Sequence, residues 1–157
     1  MPKITEATAI REESADPRDP CGPATSIRFS DTGDLTQFGA SVDILPPGSK
    51  TALKHWHSDE DEIVFCIAGT ATVHEGDAVY DLAPGEAASF KAGVERGHFV
   101  ENRGAGDLRL IVVGTRAPQD TVVYPDHDRV LFRTRDGEGE DRFETLAGDD
   151  AESPYRL

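Results

Sequence analysis

Lys54-His55-Trp56-His57-Ser58-Asp59-Glu60-Asp61-Glu62 is the stretch on which the reading of this chain turns. Two histidines stand at i and i+2, a carboxylate follows five residues after the second, and a third histidine, His98, comes later in the chain. Alternate residues of a strand share a face, so His55 and His57 would point the same way about 6.8 Å apart, close enough for two imidazoles to converge on one ion. Thr51 to His57 reads as that strand, with Leu53 on the histidine face and Ala52, Lys54 and Trp56 on the other. Ser58 to Asp61 forms a polar turn. Glu62 then opens the strand Glu62–Ala68, which Gly69 closes. Antiparallel pairing would bring Glu62 alongside the histidines, and His98 would have to arrive from a neighbouring strand. Asp59, Glu60 and Asp61 compete for the carboxylate role, but they fall inside the turn and the spacing favours Glu62. Three imidazoles and one carboxylate suit a single divalent transition metal (Zn, Fe, Mn, Ni or Cu) and leave one or two positions open.

The rest of the chain is punctuated by 15 glycines and 10 prolines, and no long stretch repeats apolar residues at helical spacing. Strand candidates are Ile27–Phe29, Leu35–Leu45, the hairpin Thr70–His74 with Ala78–Leu82, Ala87–Phe90, His98–Asn102 and Leu108–Gly114. Many short strands at this spacing leave two architectures, a sandwich or a barrel. Within Leu35–Leu45, Phe38, Ala40, Val42 and Ile44 alternate, and Val42 is expected inside. The inward lining (Leu53, Val64, Cys66, Phe90, Val100) is expected to be mostly apolar and modest in size, with no cluster of basic residues for a phosphorylated sugar. Residues 1–24 read as an N-terminal arm, 25–118 as the β-barrel domain, and 119–157 as a C-terminal tail packing on the barrel or on a partner. Asp136 to Asp141 is expected to be flexible. The strand Glu62–Ala68 is apolar on both faces and needs cover; its outward Ile63, Phe65 and Ile67 read as a homodimer interface. Trp56 is expected to pack against the arm or a partner.

The formal charge is −14, from 16 Lys+Arg against 30 Asp+Glu. This balance repels phosphate backbones and anionic lipid, which argues against nucleic acid and membranes as partners. No apolar run is long enough to span a bilayer, and the N-terminus lacks an apolar signal core, so a cytoplasmic protein is expected. Cys66 reads as a small core residue, and nothing in its spacing from Cys21 supports a disulfide. His74 and His127 read as surface residues. Asn102 reads equally as a turn-forming strand end or as support behind the site. Tyr80, Tyr124 and Arg109 receive no catalytic role.

These residues resemble the two motifs of the cupin superfamily. Gly48, His55, His57, Glu62 and Gly69 fit the first, with four residues between His57 and Glu62 and six between Glu62 and Gly69. Gly85, Gly93, His98 and Asn102 fit the second. Two departures stand out: Lys91 occupies a position where the family usually has proline, and the four residues between Gly93 and His98 make a longer gap than is usual. Both alter the turn before His98 and keep all four ligand types. The resemblance covers roughly residues 35–115. It implies an all-β, double-stranded β-helix (jelly-roll) barrel with a metal held inside by His55, His57, Glu62 and His98. It is similar in particular to small single-domain bacterial cupins, many of them homodimers. Two functions follow as expectations. One is a metal-dependent enzyme on a small organic molecule, such as a dioxygenase, isomerase or lyase. The other is a non-catalytic metallo-barrel that binds or senses a small ligand.

Overall fold

Period-two patterning between turn residues produces fourteen strands among the described residues, which are 3–135 and 140–155 of a computed structural model. In chain order they are β1 (Ile10–Ser14), β2 (Ala24–Arg28), the one-turn helix α1 (Phe29–Thr32), β3 (Phe38–Leu45), β4 (Trp56–His57), β5 (Glu62–Ala68), β6 (Ala71–Glu75) and β7 (Ala78–Leu82). There follow β8 (Ala87–Phe90), β9 (His98–Glu101), β10 (Leu108–Thr115), β11 (Gln119–Tyr124), β12 (Arg129–Thr134), β13 (Arg142–Glu144) and β14 (Asp150–Ala151). Residues 136–139, which make up most of the segment expected to be flexible, lie outside the described residues.

One wall is an antiparallel sheet in the order β1-β2-β3-β10-β5-β8. The other is made of β7-β6-β9 and β14-β13-β12-β11-β4, and the chain from Lys50 to His57 stitches these two sheets together. On one side of it Lys50 and His55 pair with Glu101 and His98; on the other Trp56 and His57 pair with Val123 and Val122. Leu45, Val64, Cys66, Leu108 and Leu110 of the first wall meet Ala71, Val73, Leu82 and Val100 of the second in one buried core. This is the jelly-roll barrel expected from the sequence. A second core, Cys21, Leu53, Val122, Tyr124 and Leu131, lies under β11 and β12. Cys21 and Cys66 are free thiols in separate cores.

Only Trp56–His57 of the expected strand 51–57 is laddered. Before it, other groups take up the backbone: the Leu53 N–H donates to the Tyr155 hydroxyl (3.0 Å), and the Thr51 N–H to the Val100 carbonyl (2.9 Å). In β5 the expected phase is observed, with Val64 and Cys66 buried and Ile63, Phe65 and Ile67 outside, 43%, 38% and 38% exposed. In β3 the expected phase is inverted. Ser41, Asp43 and Leu45 stand opposite the inward Val112, Leu110 and Leu108 of β10, so Val42 faces outward. The apolar alternation misleads because α1 packs on this strand and covers part of its outer face, with the Ala40 N–H donating to the Ser30 hydroxyl (2.8 Å). Inside, Asp43 accepts a hydrogen bond from Ser26 (2.8 Å), and burial pushes its carboxyl above the ordinary range. Trp56 borders a small cleft with Lys91, Val94 and Arg96, whereas the N-terminal arm joins the opposite wall as β1. Among the described residues no helix is long and apolar enough to cross a membrane.

Candidate metal centre

The backbone brings the histidines together before any side chain acts. His55 and His98 form a hydrogen-bonded antiparallel pair (His98 N–H to His55 O 2.8 Å, His55 N–H to His98 O 3.2 Å), so their side chains share a face. Their ring centroids are 4.8 Å apart, and those of His55 and His57 are 4.9 Å apart. The unusual four residues before His98 run as an irregular segment tied to the β6–β7 turn, where the Gly97 carbonyl accepts the Gly76 N–H (2.9 Å). Glu62, at the head of β5, places Oε1 3.8 Å from His98 Nε2. Potential ligand atoms of His55, Glu62 and His98 lie within 4.8 Å of one another; those of His57 group with Glu60 and Asp120 on the same criterion.

Each ring is held for a reason. His55 donates from Nδ1 to the Leu53 carbonyl (2.8 Å), and His57 donates from Nδ1 to Asp120 Oδ2 (2.6 Å). Both bonds fix the tautomer that leaves Nε2 as an unprotonated donor atom, the usual arrangement behind a metal-ligating imidazole. His98 stacks on Phe90 at 3.7 Å with the planes 4° apart. Both of its ring nitrogens are buried without a hydrogen-bond partner of normal geometry, and the Arg96 backbone only partly offsets the effect of burial on the ring. Buried polar atoms are rarely left so, and a cation between the rings would satisfy Nε2. The donor set therefore fits a divalent transition metal.

Electrostatics point the same way. Burial, followed by the neighbouring His57, pushes the His55 pKa down to about 4; burial and His55 push that of His98 down to about 3. Both rings are therefore neutral at pH 7, as ligation requires. Burial pushes the Glu62 carboxyl up, against the pull of His57. Burial also works against the charge of Asp120, but hydrogen bonds from His57, the Asp59 N–H (3.0 Å) and Ser58 hold its pKa below the ordinary carboxylate value.

Asp120 is the residue that the local motifs miss. Its signal lies in the phase of β11, where Asp120, Val122 and Tyr124 alternate and all are buried. The acidic turn proves structural. Glu60 accepts the Ala117 N–H (2.9 Å) and pairs with Arg135, and Asp61 accepts the Ala92 N–H (2.8 Å). Asn102 is a staple, donating to the carbonyls of Leu45 (2.7 Å) and Gly106 (2.8 Å) and accepting the Gly104 N–H (2.9 Å). Tyr124 lies inside, its ring 5.9 Å from that of His55, whereas Tyr80 bonds Glu75 at the surface and Arg109 pairs with Glu6 outside. His74 bonds Glu101 (3.0 Å) and stacks on Phe99, and His127 is exposed.

The cavity that Glu62 borders differs from the expected apolar lining. It is open, with a volume of about 610 Å³, and walled by polar groups that include Thr51, Ser41 and four arginines, Arg28, Arg116, Arg133 and Arg135. A basic cluster is therefore present. It escapes a reading of single strands because its members come from β2, β12 and the two segments that flank β11 and β12.

The model of the cupin domain matches residues 41–114. A crystal structure of a sugar phosphate isomerase from a cupin superfamily, from Silicibacter pomeroyi, superimposes with a TM-score of 0.84 at 29% identity over 98% of this chain and 99% of that one. Residues 41–114 are a cupin domain. A second cupin-like structure, from Acidithiobacillus ferrooxidans, for which the same activity has been proposed, gives a TM-score of 0.79 at 25% identity over 90% and 88% of the two chains. A polyketide cyclase of Streptomyces resistomycificus shares the cupin barrel alone, with a TM-score of 0.59 at 19% identity over 73% and 79%. No functionally curated protein matches this cupin in sequence.

Proposed function

We propose that this cupin is a metal-dependent isomerase of a small phosphorylated sugar, with the ion ligated by His55, His57, His98 and Glu62. The observation that carries the reading is the buried, unpartnered His98, grouped with His55 and with Glu62, which itself borders a large polar cavity. A divalent ion in that position supplies Lewis-acid polarisation of a substrate carbonyl or hydroxyl. The chain supplies the rest. Leu53 O and Asp120 hold two imidazoles in the ligating tautomer, Phe90 fixes the plane of the third, and hydroxyl-bearing walls accept a polyol. Likeness to a sugar phosphate isomerase along nearly the whole chain supports the choice of reaction class.

Two measurements test it. Elemental analysis of the purified protein should find about one equivalent of a transition metal, lost in His98→Ala. Incubation with a panel of aldose and ketose phosphates in D2O, followed by NMR, should show interconversion with deuterium entering at one carbon. Metal retained in His98→Ala would overturn the site. A sugar phosphate that is bound and recovered unchanged would favour a non-catalytic binding barrel. The same reading assigns the exposed row Ile63, Phe65 and Ile67 to a homodimer interface, tested by the loss of dimer mass in sedimentation of Phe65→Lys.

A further inference from the structure

Four of the chain's 16 cationic residues enter one cavity of a protein whose net charge is −14. Three of them are engaged by carboxylates: Arg28 by Glu12 and Asp31, Arg116 by Asp31, and Arg135 by the buried Glu60. These pairs are neutral on balance and hold the wall together. Arg133 is different. Its one ion pair among the described residues is a long 3.5 Å contact with Asp141, whose side chain is 46% exposed, so solvent screening leaves it weak.

Arg133 also occupies the right place. In the β11–β12 ladder it stands opposite Asp120, and its neighbour in phase, Leu131, stands opposite Val122. Leu131 and Val122 are buried in the second core and Asp120 reaches His57, so Arg133 continues the inward face at the point where that face opens into the cavity. Its charge is felt at both His55 and Tyr124. Glu62 borders the same cavity from the opposite wall. The cavity thus joins the candidate ligand Glu62 to a cationic lining, in which, among the described residues, one guanidinium is not already neutralised by a strong partner. A planar guanidinium presents a fork of donors matched to a phosphate or carboxylate group.

We propose that Arg133 is the anchor for the substrate's phosphate monoester, exchanging its loose contact with Asp141 for a bidentate contact with phosphate oxygens and directing the carbon chain toward Glu62 and the histidines. This rests on the isomerase reading for its choice of ligand, but is tested apart from it. Methyl phosphate is the probe, titrated by calorimetry into the full-length protein as purified, with metal content measured on every sample. The wild type should bind, more weakly as salt is raised. Arg133→Met should bind about tenfold or more weakly with unchanged metal content, and Arg133→Lys should fall between, because it keeps the charge and loses the fork. Arg142→Gln, a surface change on β13, should bind like the wild type. Methyl phosphate binding within about twofold of wild type in Arg133→Met would overturn the anchor, as would a wild type that binds no methyl phosphate. If Arg133→Met fails to fold, Arg133→Lys with wild-type affinity would overturn it equally. Loss of binding in Arg133→Met, in a protein that isomerises no sugar phosphate, would leave the anchor standing and remove the reaction.

Discussion

Asp120→Asn removes one charge and almost no volume, and it acts on the metal centre chiefly through its hydrogen bond to His57. The carboxylate of Asp120 is fully buried and accepts from His57 Nδ1 at 2.6 Å and from the Asp59 N–H at 3.0 Å. An amide keeps one acceptor oxygen. If that oxygen stays with Asp59, the NH2 group faces the Nδ1–H of His57, and two donors oppose each other. The ring escapes by moving its proton to Nε2, which removes the lone pair needed for ligation. A lost charge-assisted hydrogen bond in a buried place costs about 1.5–3 kcal/mol. At about 2–4 °C per kcal/mol for a chain of this size, the melting temperature should fall by roughly 3–12 °C. Loss of such a support typically weakens metal affinity by about 10–100-fold, or about 1.4–2.7 kcal/mol. Competition against a chelator measures the affinity, and 15N shifts of the His57 ring report its tautomer. An Asp120→Asn protein that melts lower but keeps wild-type metal affinity and the original tautomer would show that Asp120 is packing alone.

Acid should unfold the protein through the two neutral histidines. The ordinary histidine pKa is 6.5, and the folded values are about 4 for His55 and about 3 for His98. These pKa values are depressed on folding, so the stability is intact above pH 6.5 and is lost as pH falls toward the folded values, by at most about 3 and about 5 kcal/mol respectively. Glu62 acts in the opposite sense, because its raised pKa relieves a buried charge as pH falls. Urea midpoints between pH 7.5 and 4 should therefore decline steeply, and a flat profile would contradict the burial of these rings. Gly69 has φ of +88°, and a Cβ there would sit 3.1 Å from the backbone of Asp107 and Leu108; Gly69→Ala should cost about 1–3 kcal/mol in denaturant titration. Asn102→Ala strands the carbonyls of Leu45 and Gly106 and should cost about 1–3 kcal/mol without changing metal content, which separates stapling from ligation.

What could be read locally was read because backbone geometry is local. The i, i+2 histidines, the phase of Glu62–Ala68 and the turn glycines follow from the two-residue period of a strand and from the few residues that tolerate positive φ. These put His55 and His57 on one face with Glu62 at the head of the next strand; the resemblance to the cupin motifs added His98 and the jelly-roll barrel. The phase of β3 was not legible, because a short helix covers its outer face and allows apolar residues there, while Ser26 satisfies the inward Asp43. Asp120 and Arg133 were not legible either. Asp120 meets His57 across 63 residues, and Arg133 gains its meaning only when β12 is paired against β11 at the cavity mouth. The sequence by itself, through its strand pattern and its resemblance to the cupin motifs, determined the type of barrel and named the candidate donors. Only the tertiary structure decided which carboxylate orients His57 and which cavity arginine lacks a strong partner among the described residues, because both depend on strands that are distant in the chain and adjacent in the sheet.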